Sequence, residues 1–116
     1  MQKDDLVYVG HMLDMASKAI ARIEGRTRAQ YDDDEDLRLA LTHLIQTIGE
    51  AARRVSQPFQ QAHPEIPWRK IIGMRHKVVH DYLEVDYDLV WDVATAELPL
   101  LAGQLGQLVP PEPAEP

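Results

Sequence analysis

Four segments of this chain repeat apolar residues at intervals of three and four, the spacing that places side chains on one face of an α-helix. None of them alternates apolar and polar residues for long in the manner of a strand. The second segment shows the clearest stripe, which consists of Leu37, Leu41, Leu44, Ile45, Ile48, Ala51, Ala52 and Val55. With 116 residues, the chain can form one hydrophobic core. The pattern therefore predicts a single all-α domain, an up-down bundle of four to five helices.

The first segment differs from the others because it carries two apolar stripes. One stripe consists of Leu6, Val9, Leu13, Ala16, Ile20 and Ile23, and the other of Tyr8, Met12, Met15 and Ala19. One stripe can pack against the core of the bundle. The other is predicted to face a partner chain, since large apolar faces are rarely left in contact with water.

Residues that cap or end helices set approximate limits for the predicted helices. The first helix is expected to end near Gly25 and the second near Pro58, before a connector with room for one short helical turn. The acidic run Asp32–Asp36 could hold a metal ion, but carboxylates also favour the positive end of a helix dipole, so we expect it to open the second helix. The third helix is predicted to begin at Pro67 and to end soon after Tyr82.

The fourth helix is predicted to be capped by Asp86 and to contain one interruption. Pro99 falls inside its apolar stripe and should kink or break the helix near Ala96. The helical bundle is therefore predicted to span residues 1–108. The last residues, VPPEPAEP (109–116), cannot continue a helix and are predicted to form a disordered tail.

Composition argues against several classes of protein. The chain has no cysteine, which removes disulfides, thiol catalysis and zinc sites built on sulfur. No stretch approaches the roughly 18 apolar residues of a membrane span, and the acidic N-terminus is unlike a signal peptide, so a cytoplasmic location is expected. The net charge of −7 argues against a general nucleic-acid-binding domain.

The charge is unevenly distributed along the chain. Between Arg53 and Lys77 there are six basic residues and one acid, Glu65, whereas after Lys77 there are eight acids and no lysine or arginine. An anionic ligand is therefore expected to bind in the middle of the sequence.

The stretch MRHKVVHDY (74–82) places an arginine, two histidines and a tyrosine among apolar residues. On a helical projection Arg75 lies within the apolar stripe of the third helix, where an unpaired guanidinium would be costly. It must meet a carboxylate of a neighbouring helix, a ligand anion, or water at an interface. His76 and His80 would share one edge of this helix, either as exposed side chains or as metal ligands; no metal site is predicted, because nearby positive charges oppose a cation.

In a continuous helix Arg75 and His80 would point about 140° apart. They could not close on one small ligand within a single chain without help from a helix end or a second subunit.

These residues resemble the HepT-like branch of the HEPN superfamily. Its R-x4-H-x-Y signature is matched by Arg75, His80 and Tyr82. Three flanking segments also fit: IGEAARRVS (48–56), HPEIPWRKIIGMRHKVVHDY (63–82) and VDYDLVWDVATAELPLL (85–101). The likeness covers essentially residues 3–108. The residue after the arginine is often asparagine in this family and is His76 here.

The resemblance implies a HEPN-like bundle that forms a homodimer with its two motifs facing one another. It also implies the toxin of a type VII-like toxin–antitoxin pair, partnered by a minimal nucleotidyltransferase antitoxin. The toxin would be a metal-independent endoribonuclease without a cofactor, with Arg75 and His80 as catalytic residues. AMPylation of Tyr82 by the antitoxin would inactivate it. Candidate RNA contacts are His76, Arg69 and Lys77, and no membrane partner is expected.

The chemistry of the motif fits RNA cleavage. An imidazole such as that of His80 can transfer protons near neutral pH, and the guanidinium of Arg75 can bind phosphate in a bidentate manner. One histidine cannot be base and acid in the same step, which favours a two-fold dimer with two motifs in one cleft. The alternative is a non-catalytic helical binding subunit for a nucleotidyltransferase partner.

Overall fold

The computed structural model describes residues 3–81 and 84–109. Its elements in chain order are α1 (Lys3–Ile23), α2 (Arg28–Asp32), α3 (Glu35–Arg53), α4 (Gln57–Ala62), α5 (Trp68–Val78), β1 (Val79–Asp81), β2 (Glu84–Val85), α6 (Tyr87–Asp92), a π-helical turn (Val93–Glu97) and α7 (Leu98–Gly106). Helix α3 packs against both α1 and α5, and α1 also packs against α7. The predicted all-α bundle is confirmed.

The end of the first predicted helix and the start of the second are confirmed by local capping, whereas the second helix ends at Arg53 and not near Pro58. Helix α1 ends at Ile23, and Gly25 has a φ of 75°, a left-handed conformation that glycine adopts at little cost. The acidic run opens α3, because the side chain of Asp34 accepts a hydrogen bond from the backbone N–H of Leu37 at 3.0 Å. The start of the run differs from the prediction, since Asp32 ends the short helix α2.

The third predicted helix is wrong at its C-terminal end. Helix α5 ends at Val78, and the next three residues form β1, which pairs antiparallel with β2. The backbone N–H of Asp86 donates to the carbonyl of Val78 at 2.7 Å. Val78 and Val79 are β-branched and suit an extended backbone, so cross-strand pairing overrides the helical spacing here.

The fourth predicted helix is interrupted where the sequence predicts it. The carboxylate of Asp86 accepts from the backbone N–H of Leu89 at 3.0 Å and caps α6. Pro99 lies in the first turn of α7, directly after the π-helical turn, in which the N–H of Leu98 donates to the carbonyl of Val93. The change of hydrogen-bond register accommodates a proline, which has no N–H to donate.

The buried face of α1 combines members of both predicted stripes. Its core residues are Val9, Met12, Ala16, Ala19 and Ile23, each at most 6% exposed. The remaining members are partly buried and pack around the core: Leu6, Tyr8, Leu13, Met15 and Ile20. The division into one core stripe and one outer stripe is therefore wrong. Steps that alternate between three and four residues keep the observed set on one face.

The predicted tail lies outside the described residues from position 110 onward. None of the helices within the described ranges is both long and apolar enough to cross a membrane.

A buried carboxylate joins the start of α1 to the start of α4. Asp5 is 3% exposed, and its two carboxylate oxygens accept hydrogen bonds from the backbone N–H and the hydroxyl of Ser56, both at 2.8 Å. The same hydroxyl oxygen accepts from the N–H of Phe59 at 3.4 Å and so caps α4. Asp5 therefore pairs two polar groups at the start of α4, and its removal would leave these donors without a partner.

Asp5→Ala is expected to lower the free energy of unfolding by about 2–3 kcal/mol, because it removes charge-assisted hydrogen bonds in a buried place. Asp4→Ala is the matched control, since the neighbouring carboxylate is exposed and should cost at most about 1 kcal/mol through the helix dipole. Urea unfolding followed by circular dichroism measures both. Equal losses for the two variants would contradict the structural role given to Asp5.

Candidate active site

Helices α3 and α5 make a close contact at Gly49. A β-carbon placed on Gly49 would lie 3.1 Å from the backbone carbonyl oxygen of Ile71 and 3.5 Å from the β-carbon of Arg75. The missing side chain therefore allows the two backbones to approach. As a result, the side chain of Arg75 projects from α5 over the surface of α3.

The guanidinium of Arg75 pairs with Glu50, the residue that follows Gly49. Nη1 of Arg75 donates to one carboxylate oxygen of Glu50, and the side chains are 28% and 34% exposed respectively. Of the three partners that the sequence leaves open for this guanidinium, the structure places a carboxylate of a neighbouring helix against it. An anion from a second subunit is therefore not needed to pair Arg75.

The same carboxylate also binds two arginines of its own helix. Arg53 donates to Glu50 at 2.7 Å from Nη2, and Nε of Arg54 lies 3.4 Å from the same oxygen. One negative charge is thus surrounded by three positive charges, a net of +2. The cluster remains attractive to an anion after its internal ion pairs have formed.

The arginines also fix the protonation state of Glu50. The hydrogen bond from Arg53, with the charges of Arg53 and Arg75 and the hydrogen bond from Arg54, lowers the pKa of Glu50 to about 2. The carboxylate is therefore ionised at neutral pH. It can orient the arginines, but it is a poor proton-transfer group under these conditions.

An open cleft of about 480 Å³, lined mainly by polar and charged residues, lies beside this cluster. Its walls are formed by His43, Gln46, Thr47 and Glu50 of α3, by Arg75 and His76 of α5, and by Val79 of β1. His43 and His76 are both exposed. Nε of Arg75 lies 3.4 Å from Nε2 of His76, which accepts the hydrogen bond. The cleft thus combines a guanidinium with imidazoles from two different helices.

His80 does not have the position that a continuous helix would give it. His80 belongs to β1, after the helix has ended, so the 140° separation from Arg75 and the shared edge with His76 do not apply. The side chain of His80 is not among those that the structure describes, and Tyr82 lies outside the described residues.

The other predicted RNA contacts lie in a separate groove. Arg69 and Lys77 line the space between α4 and α5, together with Gly73 and three glutamines of α4: Gln57, Gln60 and Gln61. The structure brings His76 into the cleft with Arg75, but not Arg69 or Lys77.

Two residues of the cleft, Glu50 and His43, are not among the site residues that the sequence predicts. Glu50 and His43 lie outside the apolar stripe of the second predicted helix, and nothing in their spacing indicates Arg75 as the partner of Glu50. The available signal was that positions 43, 47 and 50 share one helical face, which places polar side chains next to one another.

Gly49→Ala is expected to lower the free energy of unfolding by about 1–2 kcal/mol, because the new methyl group meets the backbone of α5. Gly10→Ala in α1 meets no atom within 4 Å and should instead stabilise the protein by about 0.5–1 kcal/mol. Urea denaturation distinguishes the two. A stabilising effect of Gly49→Ala would show that the helices need no close approach there.

The ion pairs of Glu50 make a pH-dependent contribution to stability. The folded pKa of about 2 lies below the ordinary value of 4.5, so the contribution is present above about pH 4.5 and disappears as the pH falls through about 2. Wild type should therefore exceed Glu50→Gln in unfolding free energy at pH 7, and the difference should shrink below pH 4. Glu24→Gln, at an exposed glutamate, serves as the control. A difference that is unchanged at pH 2.5 would contradict this account.

Comparison with known proteins places the chain in one family. Residues 12–108 match the family model described as ribonuclease HepT-like. The chain is 34% identical over 100 residues to "Probable ribonuclease HepT" of Thermococcus cleftensis, covering 83% of this chain and 91% of that protein. It is 30% identical over 105 residues to "Putative RNase TTE0752" of Caldanaerobacter subterraneus subsp. tengcongensis, covering 90% and 94%. No solved structure matches it. The chain belongs to the ribonuclease HepT-like family, as the R-x4-H-x-Y residues and their flanks predict.

Proposed function

We propose that this chain is a metal-independent RNA endonuclease, the toxin of a type VII-like toxin–antitoxin pair, whose domain spans residues 1–108. The observation that carries the proposal is the cleft in which Arg75 stands at the edge of a cluster with net charge +2. Such a site attracts a phosphodiester although the whole protein carries a charge of −7. The relatives named as ribonucleases support the same reaction class.

Arg75 is proposed to bind the scissile phosphate. Its Nη1 is used by Glu50 and its Nε by His76, whereas Nη2 makes no hydrogen bond within the described part of the chain. This nitrogen has two donors, so it can meet a phosphate oxygen without breaking the ion pair. A fixed donor aimed at developing negative charge is worth about 3–4 kcal/mol in other enzymes.

His80 is proposed to take the proton of the 2′-hydroxyl. The 2′-oxygen then attacks phosphorus, the bond to the 5′-oxygen breaks, and the products are a 2′,3′-cyclic phosphate and a 5′-hydroxyl. The leaving oxygen must receive a proton in the same step, which requires a second acidic group. A homodimer with its two motifs in one groove would supply further imidazoles to this groove.

Regulation is proposed to act on Tyr82, two residues after His80. An adenylyl group transferred there by a minimal nucleotidyltransferase antitoxin would add bulk and a negative phosphate close to the motif. The phosphate would compete with RNA for the arginine cluster and repel the RNA backbone.

The net charge of −7 favours a second candidate function. The chain would then be a non-catalytic binding subunit of a nucleotidyltransferase and would receive AMP on Tyr82 without cleaving RNA. An adenylyl mass adduct that disappears in Tyr82→Phe, together with no RNA cleavage, is the result that this alternative requires.

The direct test is cleavage of a mixed RNA substrate by the purified chain in the presence of EDTA. Wild type should cleave, and Arg75→Gln and His80→Ala should each be slower by about 10²–10⁴-fold while their circular dichroism spectra remain unchanged. Arg22→Ala, at an exposed arginine of α1, is the matched control and should retain full activity. Absence of cleavage by wild type, or full activity of Arg75→Gln, would contradict the proposal.

A further inference from the structure

His43 lies in the same cleft as Arg75, although it belongs to a different helix and lies outside the R-x4-H-x-Y motif. It is on α3, and Thr47 and Glu50 continue the same face one and two turns further along. The contact of α3 with α5 at Gly49 holds this face beside Arg75. His43 is therefore positioned by the bundle itself and not by the strand that carries His80.

The other titratable groups of the cleft are poorly suited to donate a proton to the leaving oxygen. Glu50 is ionised, since its pKa is about 2, so it carries no proton to donate at neutral pH. Arg75 does not give up its proton in proteins. Nε2 of His76 accepts a hydrogen bond from Nε of Arg75 at 3.4 Å, which engages this nitrogen within the protein.

The ring of His43 makes no hydrogen bond or ion pair with any side chain in the described ranges, and it is exposed to solvent in the cleft. An imidazole in this position can carry a proton and present it to a ligand. Nη2 of Arg75, across the cleft, is available to donate to the phosphate.

We propose that His43 is a catalytic residue that protonates the 5′-oxygen leaving group as the RNA backbone is cut. This inference rests on the proposed ribonuclease activity. In the complete step, the 2′-hydroxyl loses its proton to His80, the new bond forms between the 2′-oxygen and phosphorus, and the 5′-oxygen leaves with a proton from His43. The imidazolium of His80 and the neutral imidazole of His43 then exchange protons with water.

With His43 as the acid, proton transfer would not require a histidine from a second subunit. Two histidines of one chain can act as base and acid, so each motif has its own proton donor. A homodimer would then shape the groove that holds the RNA and would not have to complete the proton transfer.

A sulfur-substituted substrate tests this role. In a short RNA that carries a mapped cleavage site, sulfur replaces the bridging 5′-oxygen. A thiol has a pKa of about 8.5, far below that of an alcohol, so the sulfur leaves without being protonated. Loss of a general acid should therefore matter for the oxygen substrate and not for the sulfur substrate.

His43→Ala is expected to cleave the ordinary RNA about 10²–10⁴-fold more slowly than wild type, and the sulfur-substituted RNA within about threefold of wild type. His80→Ala should be slow on both substrates, because the 2′-hydroxyl still needs a base. His63→Gln, at the histidine that ends α4 outside the cleft, controls for the loss of an imidazole elsewhere and should equal wild type on both substrates. A thermal melt of His43→Ala should match that of wild type, since the side chain is exposed.

Two results would overturn the assignment of His43. Activity of His43→Ala within about threefold of wild type on the ordinary RNA would show that it does not participate. Equal impairment on both substrates would show that it binds or positions RNA and does not donate the proton. Wild type that cleaves neither substrate would instead overturn the proposed ribonuclease function itself.

Discussion

The arrangement of the cleft depends on the contact between Arg75 and Glu50 across the α3–α5 interface. Gly49 permits the approach because it has no side chain, and Glu50, the next residue, supplies the charge that receives the guanidinium. A partly buried guanidinium without a partner would be costly. The buried residues Ile71, Met74 and Val78 set which side of α5 faces the core, and the ion pair holds the guanidinium against α3.

The same contact explains how an acidic protein can present a positive site. Glu50 binds three arginines but cancels only one of their charges, so the cluster keeps an attraction for phosphate that the net charge of −7 conceals. The low pKa of Glu50 means that this balance does not change near neutral pH. In the proposed reaction, proton transfer is assigned to imidazoles and phosphate binding to the arginines.

The sequence predicts those parts of the fold that depend on local physics. Apolar spacing identifies the helices, and Gly25, Asp34, Asp86 and Pro99 mark their ends through dihedral preference or capping. The β1–β2 pair was not predicted, because it depends on pairing between Val79 and Val85, which helical periodicity does not report.

The candidate site was predictable in its residue types but not in its geometry. The apolar stripe around Arg75 shows that this side chain needs a partner, and the R-x4-H-x-Y set indicates the family. The partner itself lies 25 residues earlier, and no local pattern distinguishes Glu50 from the other acids. His43 was missed for the same reason, since a cleft is formed by two helices and spacing describes only one.

A crystal structure of the protein with an RNA that carries a 2′-O-methyl group at the scissile position would show whether Arg75 binds the scissile phosphate, because this RNA binds but cannot be cut. We expect a phosphate at hydrogen-bonding distance from the guanidinium of Arg75, with Glu50 still bound to Nη1 of the same side chain. An RNA backbone that follows the groove of Arg69 and Lys77 and leaves the cleft of Arg75 empty would contradict this expectation.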